Sequence, residues 1–280
     1  MHDTLQPMLH PVHLVGAGPG DPELLTLKAV RVLREATVIL VDDLVGPQVL
    51  ASALAGCARS PRVIHVGKRG GCASTPQDFI EKLMVREALA GEKVVRLKGG
   101  DPLVFGRAGE EIAALRHAGL AVEVVNGITA GLGAAAALGV GWTDRRVGAQ
   151  ATLLVTGHAQ PGSPGPDWAA LGATAAGGVT LVIYMGVSQL ARIVQGLRET
   201  LPATLPAAVV QHASTGAERR LLSTLGSLVA DVAAQGFGSP AVLIIGEVVR
   251  DADAQLMPTS STSKTSVAFG GMTPPAPRGP

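Results

Sequence analysis

The chain has 280 residues, 47% of them hydrophobic, enough to bury a large core and to divide it between two domains. A net charge of +1 and an aromatic content of 2% argue against the basic, ring-bearing surface that nucleic acid requires, and leave small polar or acidic ligands open. No apolar run reaches membrane-spanning length, so no membrane partner is expected.

Residues 1–11 lack the basic start and apolar stretch of a secretory leader, which reads as a flexible N-terminus on a cytoplasmic protein. A strand is predicted at 12–15. It opens into Gly16-Ala17-Gly18-Pro19-Gly20-Asp21, after which Leu24, Leu27, Val30 and Leu33 recur at helical spacing. The turn invites a dinucleotide, but the third glycine of that fingerprint falls on Asp21 and Pro19 has no N–H to offer a phosphate, so a nicotinamide cofactor is not expected. Residues 38–41 read as a second strand ending at Asp42 and Asp43, an acidic pair that either holds a ribose or ends a strand. A third strand at 62–67 leads into Lys68-Arg69-Gly70-Gly71, two cations that are either a solvated surface or an anion contact. Cys57 and Cys72 are too few and too far apart for a disulfide framework, and His65 lacks ligand spacing, so no metal is expected.

The densest stretch is 96–111, reading Arg-Leu-Lys-Gly-Gly-Asp-Pro-Leu-Val-Phe-Gly-Arg-Ala-Gly-Glu-Glu behind a predicted strand at 93–97. Gly99 and Gly100 let the backbone turn tightly and approach a ligand, Asp101 and Pro102 restrict it, and Arg107, Glu110 and Glu111 place a cation and two carboxylates at the start of a helix. Connections at strand ends are where open α/β sheets bind ligands. A fifth strand at 120–125 is followed by a helix with Thr129 as its cap, in which Gly131, Gly133 and four alanines permit close packing. The breaker-rich segment 139–146 carries Trp142, Thr143, Asp144, Arg145 and Arg146 and marks a domain boundary. Strands are predicted again at 151–156, 179–185, 207–211 and 241–249, with helices at 189–199 and 225–235. His158 is given no role, and Met185 reads on pattern alone as core filler. From residue 251 the chain turns rich in Pro, Ser, Thr and Gly, which predicts a disordered tail. The expected layout is therefore a flexible 1–11, α/β domains at 12–146 and 147–250, and a tail at 251–280.

Taken in order, Gly16-Ala17-Gly18-Pro19-Gly20-Asp21-Pro22 with Leu24-Leu25-Thr26-Leu27, Asp42 with Leu44-Val45, Gly67-Lys68-Arg69, Lys98-Gly99-Gly100-Asp101-Pro102-Leu103-Val104-Phe105-Gly106-Arg107, and Val155-Thr156-Gly157-His158 resemble the tetrapyrrole methyltransferases. The likeness runs from about residue 12 to residue 250 and is strongest to members that methylate uroporphyrinogen III. It implies a two-domain α/β fold, each domain a mixed sheet flanked by helices, usually as a homodimer with S-adenosylmethionine in the cleft between domains. The implied reaction adds two methyl groups to uroporphyrinogen III, giving precorrin-2 and S-adenosylhomocysteine. Carried over by motif, the cofactor positions are Pro19, Gly99, Gly100, Asp101, Val104, Thr129, Ala130, Met185, Ala213 and Ala241. Substrate and chemistry fall to Arg107, Glu110 and Arg145, with Lys68 and Arg69 as helpers. Arginine forks suit a substrate rich in carboxylates, and Glu110 is the motif carboxylate nearest to take a ring proton. The chain departs from the family pattern at Asn126, commonly a proline, at Gly141-Trp142-Thr143-Asp144-Arg145, typically Pro-Leu-Thr-His-Arg, and in its long tail. Asp144 places a negative charge beside Arg145, which keeps open a later cobalamin precursor as substrate, or a catalytically silent tetrapyrrole-binding role.

Overall fold

The structure, a computed structural model, describes residues 9–67, 75–158 and 162–252. Among them, ten strands and eight α-helices build two five-stranded sheets. The first contains β1 (Val12–Gly16), β2 (Val38–Val41), β3 (Arg62–His65), β4 (Val94–Lys98) and β5 (Val122–Val125), in the order β3-β2-β4-β1-β5. Every pairing in it is parallel. Parallel neighbours require long crossovers, and α1 (Leu27–Glu35), α2 (Pro47–Leu54), α3 (Gln77–Leu89) and α4 (Ala108–His117) supply one each. With helices on both faces, β2 and β4 are buried along their whole length; β2 therefore reads as a continuous apolar run, while β4 buries Arg96 and Lys98 along with its apolar residues. Val15, Ile39, Val95 and Leu97 pack in the core that α1 and α2 cover, while Leu14, Val38, Leu40 and Val94 pack with Ile80, Leu83 and Met84 of α3 and Leu115 of α4.

The mixed character lies in the second sheet, where β6 (Ala151–Thr156), β7 (Val179–Tyr184), β8 (Pro206–Gln211), β9 (Arg219–Thr224) and β10 (Ala241–Ile245) run in the order β6-β7-β10-β8-β9. Only β6 and β7 pair parallel. Helices α6 (Trp168–Ala175), α7 (Leu190–Leu197) and α8 (Leu228–Ala234) close one face around Leu181, Ile183, Ile193, Leu197 and Leu243. The other face is covered by α5 (Ala130–Leu138), whose Ala134, Ala135 and Leu138 meet Val182, Val210, Val242 and Ile244. Helix α5 thus precedes residue 146 in the chain but packs on the second sheet. Its small residues make this possible: a Cβ on Gly131 would lie 2.4 Å from the Tyr184 hydroxyl and 2.9 Å from the Val182 side chain.

Two elements escape the sequence pattern. Strand β9 opens on Arg219 and Arg220 and carries adjacent leucines in place of alternation, so its pairing with β8 is what makes it a strand. Helix α6 follows a Pro- and Gly-rich stretch and is apolar on most sides, without the amphipathic stripe that reveals a surface helix. The strand predicted at 241–249 ends at Ile245, because Gly246 turns at φ 150° and residues 247–251 wind into a 3-10 turn. The predicted tail lies outside the described residues from 253 onward.

Candidate functional site

Strands β1 and β4 are neighbours, yet the chain leaves β1 towards β2 on one side and leaves β4 towards β5 on the other. That reversal is the switch point at which an open parallel sheet presents a crevice beyond its strand ends. Here the two loops close on each other. The Gly18 N–H donates to the Gly100 carbonyl at 3.2 Å, and the Gly100 N–H donates to the Gly18 carbonyl at 2.8 Å. Those amides are therefore not offered to a phosphate, in keeping with the failed dinucleotide fingerprint. A third loop, after β5, crosses at the same place: a Cβ on Gly127 would stand 2.3 Å from the Gly100 oxygen, so only glycine permits the crossing. Asp101 holds the loops together, its Oδ1 accepting from the Leu103 N–H at 2.8 Å and its Oδ2 from the Asn126 side-chain amide and the Gly127 N–H, both at 3.0 Å.

The second sheet reaches this junction through Tyr184, the only tyrosine in the chain. Its hydroxyl accepts from the Gly131 N–H at 3.0 Å and lies 2.8 Å from the Thr129 hydroxyl, while its ring sits 5.1 Å from that of Phe105. The expected cap is therefore corrected: Thr129 occupies the N-cap position of α5 but makes no capping bond with its side chain, and Tyr184 serves the helix end instead. The β8–β9 turn closes the far side. There the Ser214 N–H donates to Glu218 at 2.7 Å, Glu218 is held by Arg220 at 2.6 Å, and Gly20 approaches Thr215 so closely that a Cβ would lie 2.4 Å from it. Among the described residues five non-glycine positions have positive φ: Phe105 at 52°, Arg107 at 56°, Met185 at 55°, His212 at 52° and Ser214 at 61°. All five lie on these converging loops, and strain of this kind persists where surrounding contacts enforce it, typically at functional sites.

Ten residues carried over as cofactor contacts fall on this set of loops or beside it. Pro19 touches Gly133 of α5, and Gly99 and Gly100 follow β4 directly. Val104 packs against the second-sheet core, and Thr129 and Ala130 begin α5. Ala213 is buried between the strained His212 and Ser214, and Ala241 starts β10 opposite Gln211. Met185 is 46% exposed, which removes the core-filler reading, and Leu103, Phe105 and Leu132 are exposed with it. This apolar group beside the start of α5, where the Ala130 N–H has no acceptor among the described residues, fits a ligand that joins a flat apolar ring to an amino-acid carboxylate, as S-adenosylmethionine does.

The charged residues divide differently. Arg107 grips Glu110 with two parallel bonds, Nε to Oε1 at 2.9 Å and an Nη to Oε2 at 2.6 Å, both side chains being about half exposed. That grip holds the Glu110 carboxyl below its ordinary range. Glu111 is fully buried beneath them between Arg96 and Lys98. Asp42 lies 3.8 Å from the Arg96 guanidinium, which makes it part of the strand-end charge cluster. No hydrogen bond or ion pair among the described residues joins Arg145 to Arg107 or Glu110. Asp144 does not pair with Arg145 either; it takes the Arg146 guanidinium at 2.5 to 3.1 Å, and this bond lowers its carboxyl to about 2. The negative charge expected beside Arg145 is thus matched by Arg146. Lys68 and Arg69 lie outside the described residues. Sequence reasoning missed Tyr184, Asn126 as a partner of Asp101, and the Arg96–Glu111–Lys98 cluster. Of these only Tyr184 carried a signal, as the lone tyrosine.

The profile of the family described as Tetrapyrrole (Corrin/Porphyrin) Methylases matches residues 11–229. A uroporphyrinogen-III C-methyltransferase from Pseudomonas aeruginosa is 52% identical over 245 residues, covering 87% of this chain and 96% of that one. A crystal structure of uroporphyrin-III C-methyl transferase from Thermus thermophilus, complexed with S-adenyl homocysteine, shares 40% identity with a TM-score of 0.70 over 86% of this chain and 99% of that one. A cobalt precorrin-4 methyltransferase, 24% identical with a TM-score of 0.73 over 85% of this chain and 95% of that one, shares the fold. The crossing glycine loops, the strained turns and these likenesses agree, and the chain belongs to the tetrapyrrole (corrin/porphyrin) methylase family.

Proposed function

We propose that this chain is an S-adenosylmethionine-dependent C-methyltransferase that converts uroporphyrinogen III to precorrin-2 in two successive methyl transfers by way of precorrin-1. The observation that carries the reading is the convergence of the loops after β1, β4 and β5 onto one junction with the second sheet, with Asp101 and Tyr184 joining them. In this reading Pro19, Gly99, Gly100, Asp101, Val104, Thr129, Ala130, Met185, Ala213 and Ala241 hold the cofactor, whose sulfonium supplies an already electrophilic methyl group. No activated side-chain nucleophile is then needed, and the protein's main task is alignment.

Arg107 and Arg145, with Lys68 and Arg69 as helpers, receive the carboxylates of the tetrapyrrole. Glu110 is a weak base while Arg107 holds it, since the grip lowers its proton affinity. A substrate carboxylate that takes over the Arg107 fork releases Glu110, raises its proton affinity and readies it to accept the proton the ring must lose. Substrate binding and base activation are thereby linked through one arginine. The division into domains at 12–146 and 147–250, the homodimer and the cytoplasmic location belong to the same proposal. Sedimentation tests the homodimer. Among the described residues no helix is long and apolar enough to cross a membrane.

Two measurements test the assignment. S-adenosylhomocysteine should raise the melting temperature while NAD leaves it unchanged, because only a ligand of the native state stabilises it. Under anaerobic conditions with uroporphyrinogen III, the product should gain the mass of two methyl groups; a product without added methyl groups would remove the proposal.

A further inference from the structure

We infer that Asn126 is a positioning residue for the cofactor loops, acting through the carboxylate of Asp101. The inference rests on the functional reading above and deepens it. Asp101 is 8% exposed, and among the described residues it has no cation in ion-pair contact. Its charge is held by three neutral donors: two backbone N–H groups, from Leu103 and Gly127, and one side chain, Asn126. Leu103 lies on the same loop as Asp101, so that bond shapes one turn. The two bonds to Oδ2 have a different consequence, because Asn126 and Gly127 belong to the loop after β5 and fasten it to the loop after β4. Oδ2 of an ionised carboxylate only accepts, which fixes the orientation of the Asn126 amide with its nitrogen towards Asp101.

The fastening matters because of what each loop carries next. Four residues after Asn126, Ala130 begins α5 with Thr129 at its N-cap position, and Asp101 directly follows Gly99 and Gly100. At this crossing the loops touch backbone to backbone, and the bonds from the Gly127 N–H and the Asn126 side chain to Asp101 Oδ2 hold them in register, Asn126 supplying the side-chain half of that pair. Asn126 is itself exposed, and its carbonyl oxygen has no partner among the described residues. Removing its side chain therefore opens no cavity in a core, and its main effect falls on the register of the two loops.

The charged and titratable groups around Asp101 are otherwise engaged. Lys98, at the end of β4, is tied to Glu111, and Arg107 is tied to Glu110. Tyr184 approaches from β7, and burial raises its hydroxyl above the ordinary range, with the charge of Asp101 adding to the rise, so it stays neutral at and below neutral pH. This makes Asn126→Asp an informative substitution. It sets a second carboxyl about 3 Å from the first, and one of the pair must hold a proton for the bridge to form. The shared proton gives the folded pair a pKa raised above its unfolded value. Its contribution is then present below about pH 4 and is lost as pH rises through the raised value.

The test uses the full chain, with S-adenosylhomocysteine affinity measured by calorimetry and thermal unfolding measured across pH 5 to 8. Asn126→Ala should bind about tenfold more weakly, the size expected for losing one hydrogen bond to a charged group. Asn126→Asp should bind worse than wild type at pH 8 and recover as pH falls, and its melting temperature should approach that of wild type over the same interval. Affinities of both variants equal to wild type would overturn the inference. So would an Asn126→Asp variant whose pH profile matches that of Asn126→Ala, since Asn126 would then not act through Asp101. Failure of the wild-type chain to bind S-adenosylhomocysteine strikes the functional reading, while the melting profile of Asn126→Asp still decides whether the two side chains are coupled.

Discussion

Replacing Glu111 by Gln changes one charge and almost no shape, at a fully buried ionisable side chain. Glu111 is 0% exposed and accepts from the Arg96 Nε at 3.2 Å and from the Lys98 Nζ at 3.0 and 2.9 Å, with Gln77 at 3.4 Å. Arg96 and Lys98 are each only 5% exposed in their side chains. Without the carboxylate their nearest counter-charge is Asp42, 3.8 Å from Arg96. Breaking a buried ion pair by removing one partner costs about 3–5 kcal/mol, because a cation is left without compensation. At about 2–4 °C per kcal/mol for a chain of this size, the melting temperature should fall by roughly 10 °C. Burial already pushes the Lys98 ammonium below its ordinary range, and the Arg96 charge pushes it the same way; Glu111 opposes both. Removing Glu111 must therefore lower Lys98 further. A lysine with a folded pKa below its unfolded value loses its proton more easily when folded, so stability rises with pH between the two values. The deficit of Glu111→Gln should accordingly shrink from pH 7 to pH 9, and pairing it with Lys98→Met should recover part of the loss. Urea unfolding at the two pH values measures both effects. A loss below about 1 kcal/mol at pH 7, or a deficit that grows with pH, would refute the reasoning.

Arg107→Lys keeps the charge but loses the fork that now grips Glu110, so turnover should fall about a hundredfold while S-adenosylmethionine binding changes by less than about twofold. Steady-state kinetics with calorimetry decides, and a parallel fall in both makes Arg107 a scaffold residue. Tyr184→Phe leaves the buried Gly131 N–H and Thr129 hydroxyl without their partner and should cost about 1–3 kcal/mol in denaturant unfolding; unchanged stability would show that Tyr184 is not the fastener of α5. In Arg146→Gln the Asp144 carboxyl, now lowered to about 2 by its bond to Arg146, should titrate nearer its ordinary value, so that its native charge is lost at a higher pH as the solution is acidified. Carboxyl NMR shifts read this directly, and an unmoved midpoint would assign the lowering elsewhere. Gly127→Ala forces a Cβ to 2.3 Å from the Gly100 oxygen, so the loops must part; the variant should lose about 1–3 kcal/mol and its thermal response to S-adenosylhomocysteine, and an unchanged response would show that the crossing is not needed.

By itself the sequence determined what depends on neighbours along the chain. The runs at 38–41 and 151–156 match β2 and β6 residue for residue, and for β2 the reason is burial on both faces, which leaves a continuous local apolar run. The glycine loop after β1 was legible as unsuited to phosphate from Pro19 and Asp21 alone, and the ordered motifs pointed to the family. Only the tertiary structure decided what depends on which segments meet. Asn126 finds Asp101 across 25 residues and Tyr184 finds Thr129 across 55, and no periodicity records such a partner. Helix α5 follows β5 in the chain but packs on the second sheet, where Gly131 fits against Tyr184 and Val182. The same limit governs charge: Asp144 is adjacent to both Arg145 and Thr143 in the chain, yet the turn at residues 145–147 folds Arg146 back onto it and leaves Arg145 out of the pair. Local pattern reports how deeply a residue is buried, whereas the identity of its partner is fixed by loop crossings that bring distant backbones within hydrogen-bonding reach.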